Sequence, residues 1–449
     1  MHRQFKIVTL GCPKNVVDSE QIKGLLSKAG FTAVDNFNDA EVIIVNTCGF
    51  IESAKQESIE TVLALANYKT EGKCKYLVMS GCLVQKYAAE LAEALPEVDL
   101  FLGTGDLPEL AHFLAKLESA PPRIVVSEPE KYLYDDSITR DYSIIKPYAY
   151  VKIAEGCNNC CTYCVIPQLK GAYRSRKIPS IVQEVNDLVA HGVREVILVA
   201  QDTTSYGIDL AGESLLPELL RELCRIPRLA WIRLLYCYPD FLTDELLLTI
   251  KREKKICKYL DIPLQHIADP VLKAMGRAMD KRTIYSLLQK IRTTIPEIIL
   301  RSTFIVGFPG ETKECYNELL AFLQEMQFDR AGFFAYSQEP GTVAALLPGQ
   351  LTNREKQRRL EKATKIQEKI LAEKNAHLVQ QKLTVLVDGE SAEYEGLWEG
   401  RTQGDAPEID GLVFFQPTAV LRLGDIVTVK VTHSEKYSLI GEIWNESGQ

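Results

Sequence analysis

Cys157, Cys161 and Cys164, in the stretch Gly156-Cys157-Asn158-Asn159-Cys160-Cys161-Thr162-Tyr163-Cys164, are spaced C-x3-C-x2-C. Three thiolates on one short loop can surround a cubic iron-sulfur cluster and leave one iron without a protein ligand. An open iron is a place for chemistry. Structural zinc takes four nitrogen or sulfur ligands, and no fourth partner lies nearby. A zinc knuckle borrowing a distant ligand, or plain reduced thiols, are the competing readings.

A second trio is spread along the first hundred residues. Cys12, Cys48 and Cys82 stand in Gly11-Cys12-Pro13, Thr47-Cys48-Gly49 and Gly81-Cys82-Leu83, each just after an apolar run. Ligand sites of open α/β sheets lie outside the strand carboxyl ends, so these thiols are expected to converge on a second cluster site. Three small residues packed in tight turns would be the structural alternative. None of the turns carries G-x-G-x-x-G, which argues against a dinucleotide site. Cys74 precedes its strand and lies at the wrong end to join the trio.

The elements that must position these thiols read as three domains. Apolar runs at 5–10, 41–46 and 76–79 alternate with helical patterns opening near Asp18, over Glu52 to Tyr68, and over Tyr87 to Leu95. This indicates a parallel α/β domain over 1–137. Pro121-Pro122, Glu128-Pro129 and Asp135-Asp136 mark a linker, with a boundary near 138. From 138 to 377, six apolar strands are expected near 149–154, 194–200, 230–236, 258–263, 298–306 and 330–336, with helices between, as at Ile181–Val189 and Tyr316–Met326. Six βα units make a partial (β/α)6 barrel, two short of a full one. Thr352 to about Leu378 reads as a charged connecting helix carrying Leu360, Ile366, Ile370 and Leu371. Residues 378–449 hold β runs at 383–387, 412–415, 425–431 and 438–443, as in a small antiparallel β-barrel.

Loops after barrel strands carry the polar candidates: Gln201-Asp202-Thr203-Thr204, Tyr236, Tyr238 and Asp240, Gln265-His266, and Gly307-Phe308-Pro309-Gly310-Glu311. Gln201 is a candidate for touching a cofactor or orienting a substrate, against a helix cap or solvated turn. His266 reads as a satisfied structural histidine, and the glycine turn as a tight strand-to-helix connection or a close approach to a cofactor. Lys170, Arg174, Arg176 and Lys177 form a basic patch that could hold the carboxylate of a cofactor or an acidic substrate group, with a solvated face the first reading. Cys224, Cys237, Cys257 and Cys315 show no ligand spacing.

With 449 residues, 46% of them hydrophobic and 25% charged, the chain has the composition of a soluble globular protein. No long apolar run or signal-like start is present, so neither membrane nor secretion is expected, and the compartment reads as cytoplasmic. Twelve cysteines then read as metal ligands and core thiols rather than disulfides. A formal charge of −8 argues against a dominant nucleic-acid surface. Residues 378–449 hold five Lys/Arg against twelve Asp/Glu. Such a face suits a basic protein partner or simply keeps the chain soluble.

C-x3-C-x2-C with Tyr163 before the last cysteine resembles the radical S-adenosylmethionine (SAM) superfamily. The resemblance implies a [4Fe-4S] cluster on Cys157, Cys161 and Cys164, with SAM on the open iron and cleaved by one electron to a 5′-deoxyadenosyl radical. Tyr163, and Gln201 from its loop after the second barrel strand, are the candidates for SAM contact, and the resemblance leaves Cys160, at a variable position, out of the cluster. Two cysteine trios in one chain are similar to the methylthiotransferases across nearly the full length, implying a second [4Fe-4S] cluster on Cys12, Cys48 and Cys82 and a TRAM module at the carboxyl end. Cluster-borne chemistry of this kind designates no catalytic acid or base. Gly11 to Glu20, Asp405-Ala406-Pro407-Glu408-Ile409-Asp410-Gly411 and the acidic tail resemble the class acting on an aspartate of small-subunit ribosomal protein S-twelve. A reducing electron-donor protein is implied as a further partner, and strong direct nucleic-acid binding is not expected. The tRNA-adenosine class is the rival.

Overall fold

A computed structural model of the chain describes residues 3–116, 123–134, 140–141, 146–417 and 420–444. The boundary expected near 138, with Pro121-Pro122 and Asp135-Asp136, lies outside these residues.

Six parallel strands form the amino-terminal sheet: β1 (Gln4–Thr9), β2 (Thr32–Ala33), β3 (Val42–Thr47), β4 (Tyr76–Gly81), β5 (Leu100–Leu102) and β6 (Ile124–Val125), in the order β2-β1-β3-β4-β5-β6. Central β3 is buried at every position, as an apolar strand covered on both faces must be. Helix α1 (Pro13–Lys28) starts ahead of the expected opening near Asp18, because Pro13 pre-sets the first helical φ. Helix α2 spans Glu52–Ala66. Helix α3 (Cys82–Ala94) begins directly after β4 rather than near Tyr87, where the helix instead kinks. Strands β2, β5 and β6 escaped the sequence reading because two or three residues show no alternation.

The middle domain contains all six expected strands: β7 (Tyr148–Lys152), β10 (Glu195–Val199), β11 (Trp231–Leu234), β12 (Ile256–Asp261), β13 (Ile299–Val306) and β14 (Arg330–Ala335). Every pair is parallel and spatial order follows chain order, giving an open arc rather than a closed barrel. Helices α4 (Ile178–Ala190) and α5 (Lys313–Met326) cover its apolar face through residues such as Ile181, Val185, Leu319 and Leu323. Between β7 and α4, a two-stranded ribbon of β8 (Ala154–Glu155) and β9 (Arg174–Ser175) brackets the cysteine loop. Helix α6 (Asn353–His377) starts at Thr352, whose side chain accepts from the Glu355 N–H, and it buries Ala363, Ile370 and Leu371.

Five strands close the carboxyl-terminal barrel: β15 (Lys382–Glu390), β16 (Trp398–Arg401), β17 (Val413–Gln416), β18 (Ile426–Ser434) and β19 (Leu439–Ile443), in the order β15-β16-β17-β19-β18. Two details correct the sequence reading. β16, Trp-Glu-Gly-Arg, is a strand without an apolar run, and β17 pairs with β19 in parallel. The expected acidic face is also thinner than the composition suggests. Asp388 pairs with Arg401, Asp405 with Arg330 at 2.6 Å, and Asp410 accepts from Tyr259 at 2.6 Å, so these acids point into the domain contact. No helix among the described residues is long and apolar enough to cross a membrane.

Candidate metal centres

The amino-terminal trio is assembled by polar side chains that tie three strand ends together. Asn15 Nδ2 donates to Leu10 O at 2.7 Å and to Thr47 O at 3.3 Å, while Asn46 Nδ2 donates to Asn15 O at 3.0 Å. Thr47 Oγ1 donates to Ser80 O at 2.6 Å. The loops then close to contact: a Cβ on Gly11 would meet Cys48 Cβ at 2.7 Å, and one on Gly49 would meet Leu83 Cα at 2.8 Å. Cys12 caps α1 and Cys82 opens α3, so two of the three thiols sit at positive helix ends. Burial pushes the Cys48 thiol up and that of Cys82 to about 12, with Cys12 adding to both.

Gly81 is the residue this packing cannot spare. It has φ +99, and a Cβ there would meet Asn46 Oδ1 at 2.6 Å and Thr47 O at 2.7 Å. Gly81→Ala is therefore expected to break the strand-end ties around Cys82. Iron after anaerobic reconstitution should fall from about eight to about four per chain, the content of one remaining cubic cluster. Retention of the full complement would show that the glycine is dispensable.

The C-x3-C-x2-C loop is held from both sides. The Cys157 N–H donates to Gly171 O at 3.1 Å, the Thr162 N–H donates to Met275 O at 3.0 Å, and Thr162 Oγ1 donates to Ala274 O at 2.7 Å. Gly276 lets the loop lie close, since a Cβ on it would meet Cys160 O at 2.7 Å. Burial pushes the Cys157 thiol up to about 11 and that of Cys164 to about 12, and both feel the charge of Cys161. Cys160 is exposed and stands outside the set. Tyr163 meets Phe308 edge-on, with ring centroids 6.4 Å apart, and its hydroxyl lies by Cys161.

Among the described residues, no three His, Cys, Asp or Glu side chains are drawn in as ligands of a single ion. A four-iron cube spreads its thiolates wider than one ion does, and both trios offer the all-sulfur donor set that iron-sulfur clusters take. Thiols that burial keeps protonated are also suited to a bound cation, which draws the proton off a coordinating sulfur. The residues present fit two such groups.

The trios meet at the domain junction. Cys82 shares one buried apolar cluster with Val165 and Leu169, directly after Cys164. Lys152 pairs with Asp18 at 2.6 Å and with Glu155, and Lys170 reaches Asp18 at 3.4 Å and Glu155 at 3.6 Å. Burial would raise the Glu155 carboxyl, yet Lys152 and Lys170 hold it well below the usual carboxylate range. Gln201 Nε2 donates to Glu155 at 2.6 Å, while its Oε1 is buried without a partner among the described residues. An unsatisfied buried acceptor beside the cysteine loop calls for a partner such as a water or a ligand.

Other candidates fall elsewhere. Lys170 and Arg176 are buried and ion-paired, Arg176 to Glu184, which corrects the reading of a solvated basic patch; Lys177 alone of the four is exposed. His266 is buried, accepts from the Ala268 N–H at 3.0 Å and faces Glu311, a structural histidine. Gly307 packs under Lys356, whose Cγ a Cβ would meet at 2.5 Å. A cavity of about 200 Å³ lined by Ser19, Glu20, Arg140, Tyr148 and Glu408 contains none of the six thiols. Sequence reading missed Arg277, which packs over the Tyr238 ring at 4.0 Å and points Nη1 at Cys161 Sγ from 4.0 Å. It comes from a turn far along the chain, so no spacing marked it.

Residues 4–103 match the family described as uncharacterized protein family UPF0004, residues 151–323 the radical SAM superfamily and residues 379–443 the TRAM domain. The chain is 49% identical over 440 residues to "Ribosomal protein uS12 methylthiotransferase RimO" of Geobacter sulfurreducens, covering 98% of each. It is also 49% identical over 437 residues to the protein of that name from Desulforamulus reducens, covering 97% of this chain and 98% of the relative. Among solved structures it resembles the radical SAM methyltransferase TsrM from Kitasatospora setae, with a TM-score of 0.59 and 16% identity over 77% of both chains. That likeness is one of fold.

Proposed function

The chain belongs to the family of the RimO methylthiotransferases, and from that premise we propose that it replaces a β-carbon hydrogen of an aspartate of ribosomal protein uS12 with a methylthio group. Cys157, Cys161 and Cys164 would hold one [4Fe-4S] cluster, and Cys12, Cys48 and Cys82 the second. Together with SAM, these groups supply the radical that opens an unactivated C–H bond and the sulfur and methyl that take its place.

The protein's own residues provide the setting. Asn15, Asn46 and Thr47 lock the three strand ends that carry one trio. Arg277 sets a positive charge by Cys161, and Tyr163 with Gln201 lines the place assigned to SAM. The observation that carries the reading is the meeting of the two trios, where Cys82 packs with Val165 across the junction. A substrate carbon held at this junction would lie within reach of groups bound by both trios, which is the proximity such a transfer needs. A protein donor supplies the electron, and we place the reaction in the cytoplasm. The recipient is a protein, so the acidic barrel is not asked to bind nucleic acid strongly.

Anaerobic incubation of the reconstituted enzyme with SAM, a reductant and either uS12 or unmodified tRNA tests the assignment by mass spectrometry. A gain on uS12 equal to a methylthio group in place of hydrogen is expected. A gain on the tRNA alone would overturn the substrate.

A further inference from the structure

Among the described residues, the junction between the trios contains one mostly buried lysine with no carboxylate partner. Lys14, in the first turn of α1, is 8% exposed. Among the described residues no carboxylate lies within 4.0 Å of its ammonium, and none of its hydrogens finds an oxygen. Its recorded contact is the face of the Tyr236 ring, with Nζ 3.5 Å from the centroid. Lys14 follows Cys12 by two residues and Tyr236 lies just beyond β11 of the middle sheet, which places the ammonium at the contact between the two domains.

Every other cation here is already engaged. Lys152 and Lys170 share Asp18 and Glu155, Arg301 pairs with Asp261 at 2.7 Å, and Arg277 donates to Pro263 O at 2.8 Å. Tyr236 is held in an unusual backbone conformation for an aromatic residue, φ +60, by Asp261, which accepts from its N–H at 3.0 Å. Strain of this kind persists where the surroundings over-determine it, and its effect here is to lay a ring, rather than an oxygen, against the ammonium. An ammonium so placed, on a side chain only 8% exposed, favours an anion that enters the junction.

Resting on the substrate reading above, we infer that Lys14 is the substrate-positioning residue that receives the side-chain carboxylate of the target aspartate. The β-carbon of aspartate is bonded directly to that carboxylate. Holding the carbon between the two trios therefore brings the carboxylate to the junction, where it needs a counter-charge. Lys14 also gives a reason for selecting aspartate over its amide, since an asparagine in the same place leaves the ammonium unpaired.

The test measures binding of uS12, with its target aspartate intact or replaced by asparagine, to reconstituted full-length enzyme and to its Lys14→Met and Lys14→Arg variants, matched for iron content. A charge-assisted contact gives the unaltered enzyme a preference for the aspartate form of about tenfold or more. Lys14→Met should bring the ratio to within about twofold of one, and Lys14→Arg should keep most of it. The inference is overturned if Lys14→Met keeps the preference, or if both variants lose it equally, which would mark a packing role. An unaltered enzyme that methylthiolates uS12 but binds both forms alike would sink the inference and leave the function standing. Modification of tRNA instead of uS12 would remove both.

Discussion

Cys161→Ala is expected to abolish reductive cleavage of SAM and, with it, methylthiolation. Loss of a partner one shell away from a metal ligand costs roughly 10- to 100-fold, and loss of a ligand itself should exceed that. Cys161 is the central thiol of its trio: its charge acts on both Cys157 and Cys164, and the Arg277 guanidinium, the Tyr163 hydroxyl and the Tyr238 ring gather round it. Alanine would leave Arg277 facing a void and the open-iron site with two ligands. Iron should drop toward about four atoms per chain, with the survivors on the amino-terminal trio. SAM cleavage at the unaltered rate, measured as 5′-deoxyadenosine released in the absence of substrate, would show that another residue completes the site. Arg277→Met should give a milder loss, within the range for an outer partner.

Glu195→Ala should give the largest loss of stability, about 3–5 kcal/mol in denaturant titration, the cost of leaving buried charges uncompensated. Glu195 accepts from Arg233 Nε at 2.7 Å and from Arg401 Nη1 at 2.5 Å, joining the middle sheet to the carboxyl-terminal barrel. Both guanidiniums are at most 1% exposed, and without the carboxylate Arg233 has no acid partner among the described residues while Arg401 keeps only Asp388. Burial would raise the Glu195 carboxyl, but Arg233 and Arg401 outweigh it and hold the group below the usual range. Its contribution is thus present above the ordinary glutamate pKa of about 4.3 and is lost as pH falls through the lower folded value. The unaltered protein should weaken across that acid range, and the variant should show less of that slope. A penalty below about 1 kcal/mol would mean that the barrel docks through its apolar contacts alone.

Some of the chain declared itself without coordinates. The triplet at Cys157, Cys161 and Cys164 could be proposed as one group because its thiols share one loop, where spacing in sequence is spacing in space. The six central strands were legible because each contains an apolar run bounded by turns, although β13 buries only alternate positions and β14 none fully. Cys12, Cys48 and Cys82 could be proposed as one group only through the rule that successive parallel strands end on the same side. Strand β16 was hidden because Trp398 and Gly400 pair within a closed barrel whose pattern is not an apolar run.

The sequence by itself determined which runs must be strands and which thiols stand close on one loop, since apolar burial and short spacing act over a few consecutive residues. Tertiary structure alone decided that the two trios face one junction, that Lys170 and Arg176 are buried partners rather than a solvated patch, and that Arg277 stands over Cys161. It also decided that part of the acidic tail is spent against arginines of the sheet. The physical reason is range: a Coulomb interaction or a close contact depends on distance in space, and residues far apart in the chain acquire that distance only when the strands assemble.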